Sequence, residues 1–351
     1  MVQQARLTRR EVLSGAAGWL ALAAFSFGEV EILEKGKQVT SLPNPLIGAY
    51  WACYDNSCPT LANTPTDVNG VNGYNVIHIF QVLPSGASGE LSFDCSAVQS
   101  QASLKADIAA KRAAGISVLL TFGGSGGYLA ISSQAIASTF VSSLEAIISA
   151  IGPVDGLDWD VEGGAMYAAE MTWIGQQLKT RYGPGFSITM APGPWDTAAA
   201  AVAKTMYAGG ALDVIGPQFY EQTGFLDTDE MVANVAGQMT GIWLPVVGGN
   251  ADALVAGFEM SAADNAFNDT MSPATAALAW HGAAPLRGAY VWNSSAEHTN
   301  GNPFLSSVAP AITGSTPTPV PAPTPTPVPP APAPAPAPTP APVPGHHKHR
   351  R

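Results

Sequence analysis

Apolar and polar positions alternate in regular blocks through the middle of the chain. Between residues 46 and 312, short apolar runs alternate with longer stretches of helical periodicity. The apolar runs are bounded by glycine, proline or polar residues. The apolar runs predict eight strands, at 47–53, 76–82, 117–122, 156–162, 186–191, 214–220, 242–247 and 288–292. The periodic stretches predict helices at 101–114, 134–151, 168–182, 197–208, 229–240 and 272–281.

This order of elements predicts an α/β fold of the TIM (β/α)8 barrel type. Eight strand and helix units in about 265 residues match the size of such a barrel, whose chemistry lies at the carboxyl ends of its strands. A doubly wound open sheet is the alternative, but the glycine-rich nucleotide-binding fingerprint is missing after the first predicted strand. The predicted catalytic barrel covers residues 46–312.

The two ends of the chain do not follow the barrel pattern. Within residues 1–27, Arg9 and Arg10 precede an apolar stretch of about 16 residues. This stretch is shorter than the roughly 20 residues that span a bilayer. They predict an export signal that resembles the twin-arginine type, with an uncleaved anchor as the alternative. Residues 28–45 are predicted to be a linker. Residues 313–351, rich in proline, alanine and threonine, predict a disordered tail of polyproline II character with a basic end.

Composition and charge narrow the range of partners. Hydrophobic residues make up 46% of the chain and charged residues 12%, so a large core is available and general disorder is excluded. The formal net charge is −11, and residues 25–345 carry 9 basic against 25 acidic side chains. Such an acidic body repels nucleic-acid phosphates and anionic lipid headgroups. We therefore expect no nucleic-acid partner, no membrane contact beyond the export signal, and an uncharged or cationic substrate.

The three cysteines, Cys53, Cys58 and Cys95, lie in the first third of the chain. In an exported protein two of them can form one disulfide and leave one thiol, and the sequence leaves the pairing open. No histidine stands near them at metal-ligand spacing, so we expect no metal ion and no cofactor.

The fourth predicted strand carries a ladder of acidic side chains. Strand side chains alternate between two faces, so three carboxyl groups share one face and three apolar groups share the other. These are Asp158, Asp160 and Glu162 against Leu157, Trp159 and Val161. The apolar set faces the helices and the acids face the barrel lumen, where burial and like-charge repulsion raise the pKa of at least one carboxyl. A general acid needs such a raised pKa near neutral pH, and Glu162 at the strand end is best placed to donate.

A metal cluster or a solvated strand would also place acidic residues in a row. A metal ion would favour ligands from several strands, often with histidine, and no histidine is near in sequence. A solvated strand would not alternate so strictly with leucine, tryptophan and valine. Catalysis is therefore the preferred interpretation.

The stretch from Asp155 to Glu162 resembles the Asp-Gly-x-Asp-x-Asp-x-Glu signature of glycoside hydrolase family 18 chitinases, with every defining position filled. Four other pieces follow in the order that the family implies: Leu120-Thr121-Phe122-Gly123-Gly124, Met190-Ala191-Pro192, Gln218-Phe219-Tyr220 and Trp292. The resemblance spans about residues 46–308, in a compact body similar to the plant class III and small microbial members. Thr121 stands where the family usually has serine, and Glu221 where asparagine or aspartate is common.

The resemblance implies a substrate-assisted retaining mechanism. Glu162 would protonate the glycosidic oxygen and later activate water. Asp160 would hold the acetamido N–H of the substrate, helped by Asp158 beneath it, and Tyr220 would align the acetamido oxygen. Trp292 would form the floor of the site for the cleaved sugar. The other predicted substrate contacts are Gln218, Met190, Tyr50 and Gly123, and Asp155 completes the motif as a structural residue.

The leading hypothesis is an exported endo-acting chitinase that cleaves β-1,4 bonds in chitin or chito-oligosaccharides. An endo-β-N-acetylglucosaminidase acting on N-glycan cores would reuse the same carboxylates. A chitin-binding barrel lectin would keep the fold without turnover. We expect a secreted monomer whose partner is chitin or another glycan that contains N-acetylglucosamine. The tail is expected either to contact the cell wall or to remain a solvated, glycosylated segment.

Overall fold

The computed structural model describes residues 42–160, 162–220, 234–259 and 286–314. Within them the strands are β1 Leu46–Ala52, β2 Val76–Pro84, β3 Leu91–Phe93, β4 Ser117–Gly123, β5 Gly156–Asp160, β6 Ser187–Met190, β7 Val214–Ile215, β8 Val255–Glu259 and β9 Gly288–Trp292. The main helices are α1 Gln101–Ala113, α2 Gln134–Ile151, α3 Ala168–Tyr182, α4 Thr197–Ala208, α5 Ser294–Thr299 and α6 Pro303–Thr313. Short helical turns lie at Leu61–Asn63, Met239–Trp243, Leu244–Val246 and Ala251–Ala253.

Several predicted segments lie outside the described residues. They are the export signal, most of the linker, the helix at 272–281, Glu221 and the proline-rich tail. Of the helix predicted at 229–240, the described part from residue 234 onward is helical.

The strands form one sheet that nearly closes into a barrel. Eight of them run parallel in the order β7-β6-β5-β4-β2-β1-β9-β8, and the short β3 pairs antiparallel with β2. Two single bridges, Ile215 with Leu254 and Gln218 with Gly257, join the two end strands β7 and β8. The predicted α/β barrel of the TIM type is therefore confirmed.

The helices begin where the sequence supplies capping groups. The Ser100 and Ser133 side chains accept hydrogen bonds from backbone N–H groups in the first turns of α1 and α2, and Asp196 does so for α4. Gly152 ends α2 with a φ of 96°, a left-handed conformation that glycine adopts without strain. Local sequence therefore fixes the lengths of the helices that surround the sheet.

Helix α2 shows how the outer layer packs on the strands. By length and composition it is the one described helix that is long and apolar enough to cross a bilayer. In the structure its Phe140 ring stacks on Trp159 of β5 at 5.2 Å between centroids and meets Phe122 of β4 edge-on at 4.9 Å. Its apolar face is thus part of the core between helices and strands.

The predicted seventh strand at 242–247 is wrong, because these residues are helical. Pro245 has no N–H to give to a strand ladder, whereas it fits the first turn of a helix. The strand at this place in the barrel is β8, whose apolar pattern is interrupted by Gly257. A Cβ at that position would lie 2.3 Å from the hydroxyl of Tyr290, so the barrel needs glycine at the point where the sequence pattern looks weakest.

The disulfide joins Cys53, which follows β1, to Cys95, which follows β3. This is one of the pairings that the sequence leaves open. Cys58 remains a free thiol and is buried, with its sulfur 3.3 Å from the Ser294 hydroxyl. Burial raises the pKa of the Cys58 thiol to about 11, so it stays protonated at neutral pH.

Candidate active site

Asp155 precedes the acidic ladder in the chain and links helix α1 to strand β4. Its carboxylate accepts hydrogen bonds at 2.9 to 3.0 Å from the Arg112 guanidinium at the end of α1. It also accepts the backbone N–H of Val118 in β4 at 2.9 Å. A bidentate pair of this kind fixes the helix to the sheet. Asp155 is therefore structural, as its place in the motif suggests.

Asp158 lies at the bottom of the ladder and is surrounded by donors. Its carboxylate accepts hydrogen bonds from the hydroxyls of Tyr50 at 2.8 Å, Thr121 at 3.1 Å and Thr189 at 2.5 Å. Burial raises the pKa of this carboxyl, but the nearby His78 and the hydroxyl donors outweigh burial, and the pKa lies below its ordinary value. Asp158 is therefore a stable carboxylate, and Thr121 supplies its hydroxyl as serine would.

Tyr50 supports Asp158 from the barrel lumen. Its side chain is almost fully buried, and its hydroxyl donates to Asp158. Burial, followed by the negative charge of Asp158, raises the pKa of the Tyr50 phenol well above its ordinary value, so the phenol keeps its proton as a donor. Tyr50 thus holds a carboxylate in place, and its contact with the substrate stays a prediction.

Asp160 lies two residues further along β5, and its pKa is shifted in the opposite direction from that of Asp158. Burial raises its pKa well above the ordinary value, and the negative charges of Glu162 and Asp158 raise it further. A hydrogen bond links it to Glu162. Because the negative charge of Glu162 raises the pKa of Asp160, ionising both carboxyl groups carries an electrostatic penalty, and Asp160 favours its protonated form above the Asp158 carboxylate.

Gln218 orients both members of this pair. Its side-chain amide donates to Asp160 at 2.7 Å, to the Ala191 carbonyl at 3.0 Å and, at a longer 3.4 Å, to Glu162. The carbonyl contact sets the direction of the amide plane, so the N–H groups point at the acids. Gln218 thus belongs to the site, and its chemistry there is to position carboxyl groups.

Glu162 follows the end of β5 and is exposed, whereas Asp158 and Asp160 are buried. Its side chain lines a cavity of about 280 Å³ that it shares with Tyr220 and Trp292. It also lines a second cavity, of about 410 Å³, which includes Trp195. The predicted acid therefore borders two open spaces, each large enough for a sugar ring.

Aromatic side chains build the walls of the smaller cavity. Trp292, at the end of β9, is partly buried and meets the Phe80 ring edge-on with centroids 4.7 Å apart. Tyr54 is 53% exposed and packs edge-on against the same Phe80 ring. Burial raises the pKa of Tyr220 well above its ordinary value, so its hydroxyl keeps its proton. Trp292 and Tyr220 thus line one cavity together with Glu162.

The Gly123-Gly124 turn shapes the cavity through the backbone. Both residues have positive φ, 115° and 93°, and the Gly124 N–H donates to the Asp160 carbonyl at 2.6 Å. The Gly123 carbonyl accepts a 2.5 Å hydrogen bond from the Gln81 amide. A Cβ on Gly124 would lie 2.4 Å from the Phe80 ring. Gly123 therefore acts on the site through Gln81, which itself lines the cavity.

Met190 lies at the end of β6 and is buried in the apolar core. Its neighbour Thr189 points inward to Asp158. Met190 also lines the small lumen cavity that contains Tyr50 and Asp158. Its contact with the substrate stays a prediction.

Three residues of the site escape sequence reasoning. Tyr54, Phe80 and Gln81 line the cavity together with Glu162. The signal that could have found two of them is the position of Phe80 and Gln81 at the carboxyl end of β2, where barrel chemistry is expected.

In the described ranges no group of three or more histidine, cysteine or acidic side chains is arranged to hold a metal ion.

No family model matches the chain. Curated relatives do match, and two of them are described here. The Arthroderma benhamiae protein named "Probable class II chitinase" is 30% identical over 246 residues, which are 59% of this chain and 71% of that protein. "Exochitinase 1" of Streptomyces olivaceoviridis is 33% identical over 174 residues, 43% of this chain. The match spans only 28% of the length of that second relative.

Solved structures share the fold. A family GH18 chitinase from Chromobacterium violaceum superposes with a TM-score of 0.63 at 22% identity, over 79% of this chain and 86% of that one. A fungal endo-β-N-acetylglucosaminidase of glycosyl hydrolase family 18 superposes with a TM-score of 0.55 at 18% identity, over 77% of this chain and 97% of that one. At these identities the likeness establishes the barrel architecture.

Proposed function

The chain belongs to the glycoside hydrolase family 18 chitinases, and from that premise we propose that it hydrolyses β-1,4 bonds in chitin or chito-oligosaccharides. The observation that carries the proposal is the shared cavity of Glu162, Tyr220 and Trp292. It brings a proton donor, a hydroxyl and an aromatic platform to a space of about 280 Å³, enough to enclose one sugar ring.

In the proposed first step Glu162 is the general acid. The raised pKa of Asp160, which is hydrogen-bonded to Glu162, favours a proton on this pair that Glu162 would pass to the glycosidic oxygen. As the bond from C1 to that oxygen breaks, the oxygen takes the proton from Glu162. The carbonyl oxygen of the substrate's own acetamido group then bonds to C1 and closes an oxazolinium ring.

Asp160 and Tyr220 prepare the acetamido group for this attack. The Asp160 carboxyl would accept the acetamido N–H and offset the positive charge of the ring, with ionised Asp158 beneath it. The Tyr220 hydroxyl would donate to the acetamido oxygen and align it with C1. In the second step water attacks C1 and gives a proton to Glu162, while the bond from C1 to the acetamido oxygen breaks and the acetamido group is restored, so the product keeps the β configuration.

The second cavity supports an endo-acting cleft. Trp195 is 54% exposed and lines a space of about 410 Å³ that Glu162 also borders. Trp195 in this cavity and Trp292 in the smaller one would provide stacking platforms for sugars before and after the cleaved bond. A polymer that lies across Glu162 would thus be bound on both sides of the glycosidic bond that is cleaved.

The alternatives remain an endo-β-N-acetylglucosaminidase for N-glycan cores and a lectin. The first is supported by the fold shared with the fungal enzyme. A lectin has no need of a carboxyl with a raised pKa beside Glu162, and the raised pKa of Asp160 favours turnover.

One parallel assay separates these functions. The full chain is incubated with a chitin hexasaccharide and with a high-mannose glycopeptide, and new reducing ends and bound sugar are measured for each. Release from the hexasaccharide supports the chitinase. Release from the glycopeptide alone would replace it by the glycan-core enzyme, and binding without release from either would replace it by the lectin.

We also propose that the protein is exported, acts as a monomer and uses its proline-rich tail to contact the cell wall. The Cys53–Cys95 disulfide supports an oxidising compartment. Replacement of Arg9 and Arg10 by lysine tests the twin-arginine route, since the protein should then accumulate inside the cell. Unchanged secretion would exclude that route.

A further inference from the structure

A histidine lies in the barrel lumen at the level of Asp158, and the proposed mechanism does not use it. His78 of β2 is in register with Tyr50 of β1 and is only 5% exposed. Its ring lies 4.7 Å from the Tyr50 ring at an angle of 30° and 6.2 Å from the Tyr290 ring. A buried imidazole between two phenols needs a reason, because apolar side chains would fill the same space at lower cost.

The contact with Asp158 supplies that reason. Nδ1 of His78 lies 3.5 Å from Oδ2 of Asp158, within ion-pair distance, and has no hydrogen-bond partner among the described residues. An ionised carboxylate offers only lone pairs, so a stable contact requires that Nδ1 carries a hydrogen. The imidazole therefore faces Asp158 as a donor.

The three other donors to Asp158 are neutral. They are the hydroxyls of Tyr50, Thr121 and Thr189. Within the described ranges Asp158 makes no ion pair with lysine or arginine, and His78 is the side chain beside it that can carry positive charge. Hydroxyls orient a carboxylate, whereas a cation also offsets its charge.

The surroundings make that charge effective. Tyr50, His78, Asp158, Thr189 and Tyr290 line a cavity of about 10 Å³, room for about one water molecule. Charges are weakly screened in so dry a place. Asp158 in turn lies beneath Asp160, whose proton it helps to retain.

We propose that His78 is a positioning residue which, in its protonated form, holds Asp158 as a carboxylate beneath Asp160 and thereby sets the acid side of the pH range of catalysis. The proposal rests on the proposed function, since it concerns the same carboxyl ladder. His78 touches no part of the cleft and acts through Asp158.

The direction of the effect follows from charge. The ionisable groups that face His78 are Asp158 of β5, Tyr50 of β1 and Tyr290 of β9, and both phenols keep their protons because burial raises their pKa. Removing the imidazolium leaves Asp158 with neutral donors alone. Its pKa then rises, and activity that needs its carboxylate is lost at a higher pH than in the wild type.

Two variants separate charge from packing. His78→Gln keeps a neutral donor, and His78→Phe keeps an aromatic ring beside Tyr50. We measure kcat/KM for a chitin oligosaccharide from about pH 4 to 9, together with Tm. Both variants should move the acidic limb upward by about one pH unit or more, which is a loss of about tenfold on that limb. His298→Gln, a histidine on α5, is the matched control and should leave the limb in place.

A fall in Tm with an unmoved acidic limb would overturn the proposal, because it would make His78 a packing residue only. The wild-type chain gives a second test that needs neither a variant nor turnover. Nitrogen-15 NMR of its histidines should show hydrogens on both Nδ1 and Nε2 of His78 at the pH of the acidic limb. A neutral His78 ring at that pH overturns the proposal. A protein that lacks chitinase activity but shows this protonation would refute the proposed function and leave the His78–Asp158 contact standing.

Discussion

The buried carboxyl of Glu297 makes the stability of the barrel depend on pH in an unusual direction. Glu297 lies on α5, directly after the site strand β9, and is almost fully buried. It accepts hydrogen bonds from the Phe304 N–H at 3.1 and 3.2 Å and from the Tyr74 hydroxyl at 3.3 Å. Burial outweighs these donors and raises its pKa from 4.5 to about 8.

The size of the effect follows from this rise. A difference of about 3.5 units corresponds to about 5 kcal/mol, at about 1.4 kcal/mol per unit. Because the pKa of Glu297 is raised in the folded state, its stabilising contribution is fully present below about pH 4.5 and is lost as pH rises to about 8. Above that pH the folded barrel holds a buried carboxylate.

Glu297→Gln removes this cost while it keeps an acceptor for the Phe304 N–H. We expect little change in Tm at pH 5 and a rise of about 10 °C at pH 9, at about 2 °C per kcal/mol for a domain of this size. The assay is thermal unfolding of both proteins across the pH range, with Glu170→Gln on α3 as a surface control. Parallel pH curves for wild type and Glu297→Gln would refute the reasoning, as would a variant that is less stable at pH 9.

Three further predictions concern the site and its support. Replacing Cys53 and Cys95 by alanine should cost about 4 kcal/mol of unfolding free energy, because the bond closes a loop with a sequence separation of 42; a loss under about 1 kcal/mol in urea unfolding would contradict this. Thr121→Val should lower kcat about tenfold or more by removing a buried hydroxyl from Asp158, whereas Thr121→Ser should stay near wild type. Trp292→Ala should lower kcat/KM about tenfold or more for chitin oligosaccharides, and unchanged kinetics would exclude it as the floor of the site.

The acidic ladder could be predicted from sequence because its signal is local. Alternation with period two places Asp158 and Asp160 on one face whatever the rest of the chain does. The same rule, applied from the inward Thr189, turns Met190 outward. The predicted contact of Met190 with the substrate rests on the family resemblance and stays a prediction.

Other features depend on contacts between residues far apart in the chain. Gly257 looks like a break in a strand until the Tyr290 ring that fills its space is known. Tyr50 lies on the inner face, as a substrate contact would, but the depth of its hydroxyl in the lumen is set by Asp158, 108 residues away. His78 gains a role only from the same carboxylate. No local pattern carries such information.

The most direct test of the account is the comparison of the wild type with Glu162→Gln on a chitin hexasaccharide. Reducing-end release is measured alongside sugar binding by tryptophan fluorescence. The account predicts that release by the variant falls by about 10³-fold or more while binding stays close to that of the wild type, since the amide fills the same space but supplies no proton. Substantial release by Glu162→Gln would contradict the central claim that this side chain protonates the glycosidic oxygen.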